Sequence, residues 1–195
     1  MLPGMKTVIF LVFFLVGCPH TSSPDGGTFE AGANDCNLDA AALHDSLSCP
    51  KIEVHFSPNG GCQDAIVARI KASKKVRVQA YSFTAKPIID ALIALQADHG
   101  DVQVIIDATE AKMPVNPIAA FRAAKIPVYI DSKHALATSR VMVFDDVAVE
   151  TGSYNYTNSS EHDNSDNCLI LEDKPTVASY AENWMGHYAH ATPAP

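Results

Sequence analysis

A chain of 195 residues holds one domain of ordinary size with a substantial core and leaves no room for a second large one. With 47% hydrophobic and 18% charged residues, the composition excludes a chain disordered throughout. Twenty-two acids against 14 bases give a net charge of −8, which works against partners held mainly by neutralising phosphate charge.

Lys6 precedes an unbroken apolar run over residues 8–16 that ends at Gly17-Cys18, the pattern of an export leader. Nine apolar residues are too few to cross a bilayer, which takes roughly 20, so residues 1–17 are expected to be a signal peptide. Leu15-Val16-Gly17-Cys18 resembles the lipobox of bacterial lipoproteins, which implies lipidation at Cys18 and a lipid-anchored place in the bacterial cell envelope. A plain secretory leader, with a secreted or periplasmic product, is the alternative. Loss of residues 1–17 removes one Lys and no acid, leaving 13 bases against 22 acids. Residues 18–49 are expected to be a flexible tether, since residues 19–35 are rich in Pro, Ser, Gly, Thr and Asp. Residues 37–47 carry a weak helical spacing. With Cys18 lipidated, Cys36, Cys49, Cys62 and Cys168 remain, an even number that suggests disulfides in an exported chain. The favoured pairing is Cys36 with Cys49 and Cys62 with Cys168, the alternative for the second pair being buried free thiols.

Residues 50–190 form the expected domain. Short β-branched runs alternate with amphipathic stretches, the mark of α/β architecture with a mixed, largely parallel sheet flanked by helices. Strands are predicted at residues 52–56, 76–83, 102–106 and 126–130, a hairpin at 141–144 and 148–151 turning at Asp145-Asp146, and a last strand at 168–171. Between them lie a helix after Asn59-Gly60-Gly61 with Ala65, Ile66 and Ile70 on one face, and a helix capped by Thr84 with Pro87 in its first turn. A further helix is predicted at 117–124 and a closing one, carrying Trp184, at 177–190. Lys71, Lys74, Lys75 and Arg77, the densest basic cluster, read as a solvated edge.

The polar residues a phosphate site needs concentrate between Arg140 and Asn167. Ser153 and Asn155 follow a strand and a Gly, so both side chains emerge on one side of the strand end with turn amides nearby. Alone, Gly-Ser-x-Asn is a weak signal. Four segments in order add to it: Phe56-Ser57-Pro58 with Gly60-Gly61-Cys62; Gln79-Ala80-Tyr81-Ser82-Phe83-Thr84; Ile126-Pro127-Val128-Tyr129-Ile130-Asp131; and Val149-Glu150-Thr151-Gly152-Ser153-Tyr154-Asn155-Tyr156-Thr157. Together they resemble the small, single-motif phosphodiesterases of the phospholipase D superfamily, including the bacterial endonuclease type.

The resemblance implies an α-β-α sandwich, hydrolysis of a phospholipid or related phosphodiester with no cofactor, and a homodimer in which two signature segments complete one site. That signature is His-x-Lys, four residues, Asp, then Gly-Ser-x-Asn. Counting back from Asp145, the Lys position holds Arg140 and the His position Thr138. Ser153 and Asn155 remain for phosphate, and Asp166 stands where the resemblance expects a Glu. Arg140 keeps a permanent cation with a fork of donors, so phosphate binding survives the exchange. Thr138 is a poorer replacement, because a hydroxyl needs a base to attack phosphorus. Weak or absent turnover is therefore expected, with a silent phosphodiester- or headgroup-binding envelope protein as the alternative. Endonuclease action is a third reading, opposed by the acidic balance.

His134 lies four residues upstream, roughly 13 Å away along an extended strand, too far to replace the missing imidazole. It is expected to be structural or at the surface. His55, His99, His162, His187 and His190 show no metal-ligand spacing, and no metal is expected.

Overall fold

The computed structural model describes residues 50–195. The leader, Cys18, the tether, the 37–47 spacing and the proposed Cys36–Cys49 pair all lie outside the described residues. Eight strands form one sheet: β1 (Lys51–Phe56), β2 (Lys75–Ala80), β3 (Asp101–Asp107), β4 (Val128–Asp131), β5 (Val141–Phe144), β6 (Ala148–Gly152), β7 (Asn167–Glu172) and β8 (Thr192–Pro193). Their order is β1-β7-β6-β5-β2-β3-β4-β8. The sheet is mixed, as expected, but its parallel part is narrower than the sequence suggested. Only β2, β3 and β4 run parallel, and the other ladders are antiparallel.

Helices α1 (Cys62–Ala72) and α2 (Lys86–Ala97) bury Ile66, Ile70, Ile88 and Leu92 in the main core with Val76, Val78, Val104 and Ile106. Phe121 of the short α3 (Ile118–Ala123) packs edge-on against Phe83, 5.5 Å between ring centroids. A five-residue helix, α4 (Asn158–His162), was not foreseen; Thr157 caps it by accepting from the Ser160 amide at 3.1 Å. The closing helix α5 (Lys174–Tyr188) covers Val141, Val143 and Val149 with Val177, and its buried Trp184 donates to the Val78 carbonyl at 2.9 Å.

Three local expectations change. Thr84 does not cap α2; that place falls to Ala85, while the Thr84 amide donates to the Tyr156 carbonyl at 2.7 Å. Strand β2 stops at Ala80, because residues 81–83 bend towards Tyr156 and pair there through Phe83. The Cys62–Cys168 disulfide is not formed: both cysteines are free, buried thiols. Cys168 donates to Cys62, and that hydrogen bond together with burial keeps its proton well above the usual thiol range. The Asp145-Asp146 turn is as read, with φ of 51° and 57° at its two central residues, the left-handed geometry a tight hairpin demands.

Candidate active site

Gly152 ends β6 against the backbone of β7, so close that a Cβ at this position would lie 2.1 Å from the Asn167 carbonyl oxygen. That approach lets two loops interlock. The Ser153 hydroxyl donates to Asp166 at 2.8 Å and accepts from the Asn167 amide at 3.1 Å, and the Ser153 amide donates to the Asn167 side chain at 3.0 Å. Ser57, at the end of β1, fixes the far side, its hydroxyl accepting from the Asp166 amide at 3.1 Å and donating to the Asn164 carbonyl at 3.1 Å.

Beyond Gly152 the chain stays extended, so side chains alternate inward and outward. Tyr154 and Tyr156 turn in and are fully buried, donating to Glu161 at 2.9 Å and to Glu150 at 2.7 Å. Ser153 and Asn155 consequently face out. Asn155 accepts from the Arg140 Nε at 2.6 Å, and the Arg140 guanidinium also donates to the Thr138 carbonyl at 3.0 Å and lies 6.0 Å from the centre of the Tyr81 ring. The structure thus brings Thr138, Arg140, Ser153, Asn155 and Asp166 to one end of the sheet. Thr138 is exposed, and among the described residues no side chain hydrogen-bonds to its hydroxyl. One oxygen of Asp166 is buried with no partner among the described residues, a free acceptor beside Ser153.

Asp145 does not join them. It sits at the opposite end of β5, some 16 Å away at strand rise, where its carboxylate accepts from the amides of Lys74 at 2.9 Å and Lys75 at 2.7 Å. Its work is to tie the hairpin turn to the start of β2.

The loop carrying Thr138 and Arg140 hangs from two buried carboxylates on neighbouring strands, Asp107 and Asp131, which are register partners. Asp107 accepts from the Ala137 amide at 2.7 Å. Burial opposes its ionisation, but hydrogen bonds from Thr109, Ala137 and Glu110 hold its carboxyl below the usual range. Asp131, fully buried, meets His134 at 3.0 Å, His187 at 2.7 Å and His190 at 3.3 Å. Again burial opposes the charge, and the close imidazoles of His187, His134 and His190 overcome it, so this carboxyl stays far below its ordinary value. Sequence reading missed this cluster. Its signal was the pair Asp-x-x-His at the end of β4 and His-x-x-His at the end of α5, two spacings that gain meaning only once the fold joins them. His187 and His190, which show no ligand spacing in the sequence, meet His134 at Asp131 because α5 crosses back over the end of β4.

The family model described as "Cardiolipin synthase, PLD-like domain" matches residues 66–188. The chain belongs to the phospholipase D superfamily. The phospholipase D of Rickettsia conorii is 33% identical over 144 residues, covering 73% of this chain and 72% of that protein. Mitochondrial cardiolipin hydrolase of Xenopus laevis is 26% identical over 129 residues, 66% of this chain and 61% of that one. Among solved structures, the phospholipase D family member Nuc of Salmonella typhimurium superposes with a TM-score of 0.70 at 31% identity, over 74% of this chain and 98% of that one. NucT of Helicobacter pylori shares the fold, with a TM-score of 0.68 at 18% identity over 74% and 99% of the two chains. This phospholipase D-like domain is of the single-motif kind, as its sequence suggested.

Glu150 lies beneath the site, fully buried, with one oxygen bonded to Tyr156 and the other without a partner among the described residues. Burial pushes its pKa up from 4.5 to about 8, the Tyr156 hydrogen bond only partly opposing it. The folded state therefore keeps a proton that the unfolded chain releases above its own pKa. Folding takes up a proton between about pH 4.5 and about 8, so this group's contribution to stability falls as pH rises through that window and is level above it. Glu150→Gln, which keeps an acceptor for Tyr156, should flatten that dependence. In urea unfolding from pH 4.5 to 8, the variant should gain on the unmodified protein by a few kcal/mol, and a constant difference would refute the assignment.

Proposed function

We propose that the domain is a phospholipase D-type phosphodiester site that binds a phospholipid or related phosphodiester and turns it over very slowly or not at all. The observation that carries this reading is the 2.6 Å hydrogen bond between Arg140 and Asn155, beside the Ser153–Asp166 pair. It holds a forked cation and a side-chain amide at one point of an exposed strand end, a good cradle for a phosphate. The reaction needs more than a cradle. At the position read as the nucleophile, Thr138 offers a hydroxyl with no base bonded to it among the described residues, and loss of a covalent nucleophile costs on the order of 10⁶ in turnover. Asp166 holds Ser153 and keeps one oxygen in reserve, a fit for an acid that orients a neighbouring reacting group.

A second copy of the chain is proposed to complete the site. Ile52, Val54 and Phe56 of β1 are exposed, and their register partners on β7 are Leu171, Leu169 and Asn167. That makes an apolar strip running up to the loop that carries Asp166, suited to pairing with itself. The setting proposed is the bacterial envelope, with Cys18 lipidated. Among the described residues no helix is long and apolar enough to cross a membrane.

Three measurements test these points. On a chromogenic phosphodiester and on phosphatidylcholine, the unmodified protein should stay near background while Thr138→His with Arg140→Lys gains at least about 100-fold. Rapid turnover by the unmodified protein, with a phosphorylated histidine trapped during it, would overturn the proposal. Light scattering at micromolar concentration should report a dimer, and Val54→Asp with Phe56→Asp should yield monomer; monomer throughout refutes the pairing. In a bacterium that processes lipoproteins, Cys18→Ala should abolish the acyl mass increase and move the protein out of the membrane fraction, and an unchanged distribution would rule out the anchor.

A further inference from the structure

The group of Asp131, His134, His187 and His190 has no part in the phosphate site, and its chemistry is unusual for a structural contact. One carboxylate with no solvent exposure faces three imidazoles. Its Oδ2 meets His134 Nδ1 at 3.0 Å and His187 Nδ1 at 2.7 Å, and its Oδ1 accepts from the Lys133 amide at 3.0 Å. The fourth neighbour is the poorly served one. His190 Nε2 lies 3.3 Å from Oδ1, yet it is buried and lacks a hydrogen bond of acceptable geometry among the described residues. The rings crowd one another, with centroids 4.9, 5.2 and 5.4 Å apart. Any protons carried by these inward nitrogens are thus packed around a single negative charge.

We propose that these four residues form a binding site for a divalent transition metal of the zinc type. One ligand atom from each lies within 4.8 Å of every other. Zinc bonds of about 2.0–2.2 Å in a tetrahedron set ligand atoms roughly 3.4 Å apart, so the wider pairs must close somewhat while the 2.7 and 3.0 Å contacts of Oδ2 open slightly. Three imidazole nitrogens and one carboxylate oxygen select zinc, cobalt, nickel or copper over magnesium or calcium, which take oxygen. On binding, the cation replaces the protons on the three inward nitrogens, which leave to solvent, and each ring turns a lone pair inward. The Lys133 amide on Oδ1 fixes the carboxylate, the sort of outer support such sites use, and Oδ2 faces the metal once the two imidazoles on it have given up their protons.

Four protein ligands close a tetrahedron, so the site is structural and not hydrolytic. Its ligands come from the end of β4, from the loop that carries Thr138 and Arg140, and from the last turn of α5 and just beyond it. A bound ion therefore pins that loop to α5 a few residues before the phosphate cradle. His134, with 43% of its side chain exposed, is the door through which the ion enters.

The test uses the full chain in detergent, stripped with a chelator and titrated with Co²⁺ as a coloured probe, then with Zn²⁺. The expected result is one Co²⁺ per chain with the intense visible bands of tetrahedral coordination, lacking sulfur charge transfer, and displaced by Zn²⁺. Thermal stability should rise with metal concentration. His187→Gln with His190→Gln should lose the bands and weaken zinc binding by about 100-fold or more. If that variant does not fold, His134→Gln, at an exposed position, should weaken binding while the circular dichroism stays unchanged. The proposal is overturned if the unmodified chain takes up no metal at micromolar concentration. It is equally overturned if uptake is unaltered by these replacements, or if thiolate bands place the ion on cysteines.

Discussion

Everything at the candidate site depends on a contact between two backbones, Gly152 against Asn167. Because no Cβ fits there, β6 and β7 can close at their ends, and the amides and side chains of 153 and 167 exchange hydrogen bonds across the gap. Any other residue at 152 would have to push β7 away. Ser153 would then lose Asp166, and the outward pair of Ser153 and Asn155 would lose its footing. The inward pair supports the same arrangement from below, since Tyr154 and Tyr156 are held by the buried carboxyls of Glu161 and Glu150. A protonated Glu150 fits this role, because a neutral acid deep in the core avoids the desolvation cost that an unpaired carboxylate would incur.

Much of this could be read from the chain. Period and turn chemistry located the strands, and the apolar run of β3 gave away a strand covered on both faces. Gly-Ser-x-Asn and the spacing back to Thr138 and Arg140 name residues that the fold brings together at one strand end. The failures have physical causes. Motif spacing groups Asp145 with the site, but a strand of four residues carries it to the other end of the sheet. Strand direction is not legible in the sequence, because buried strands look alike whichever way they run. α4 is a single capped turn with no apolar period to reveal it. The Asp131 cluster escaped for the opposite reason. Each of its two spacings was visible, but their partnership is made by α5 returning across β4, which no local pattern encodes.

The electrostatics of the domain divide along the sheet. On the side of α1 and α2 the buried acids are few and one of them is kept neutral. At the ends of β3 and β4, by contrast, Asp107 and Asp131 stay ionised because backbone amides, hydroxyls and imidazoles converge on them. Charge is thus held where the chain must be pinned and removed where it must be packed. The acidic total of the sequence conceals this, since these two carboxylates add nothing to the surface that a partner meets.

The loop between Asp131 and Val141 is fixed through its anchors, while Thr138 itself lies open to water and contributes little to the core. Reactivity and foldability are therefore uncoupled at that residue. A lineage could exchange one reacting group for another there, or discard it, without passing through an unstable intermediate. Such a scaffold would keep the loop pinned at Asp107 and Asp131 whichever side chain stood at 138.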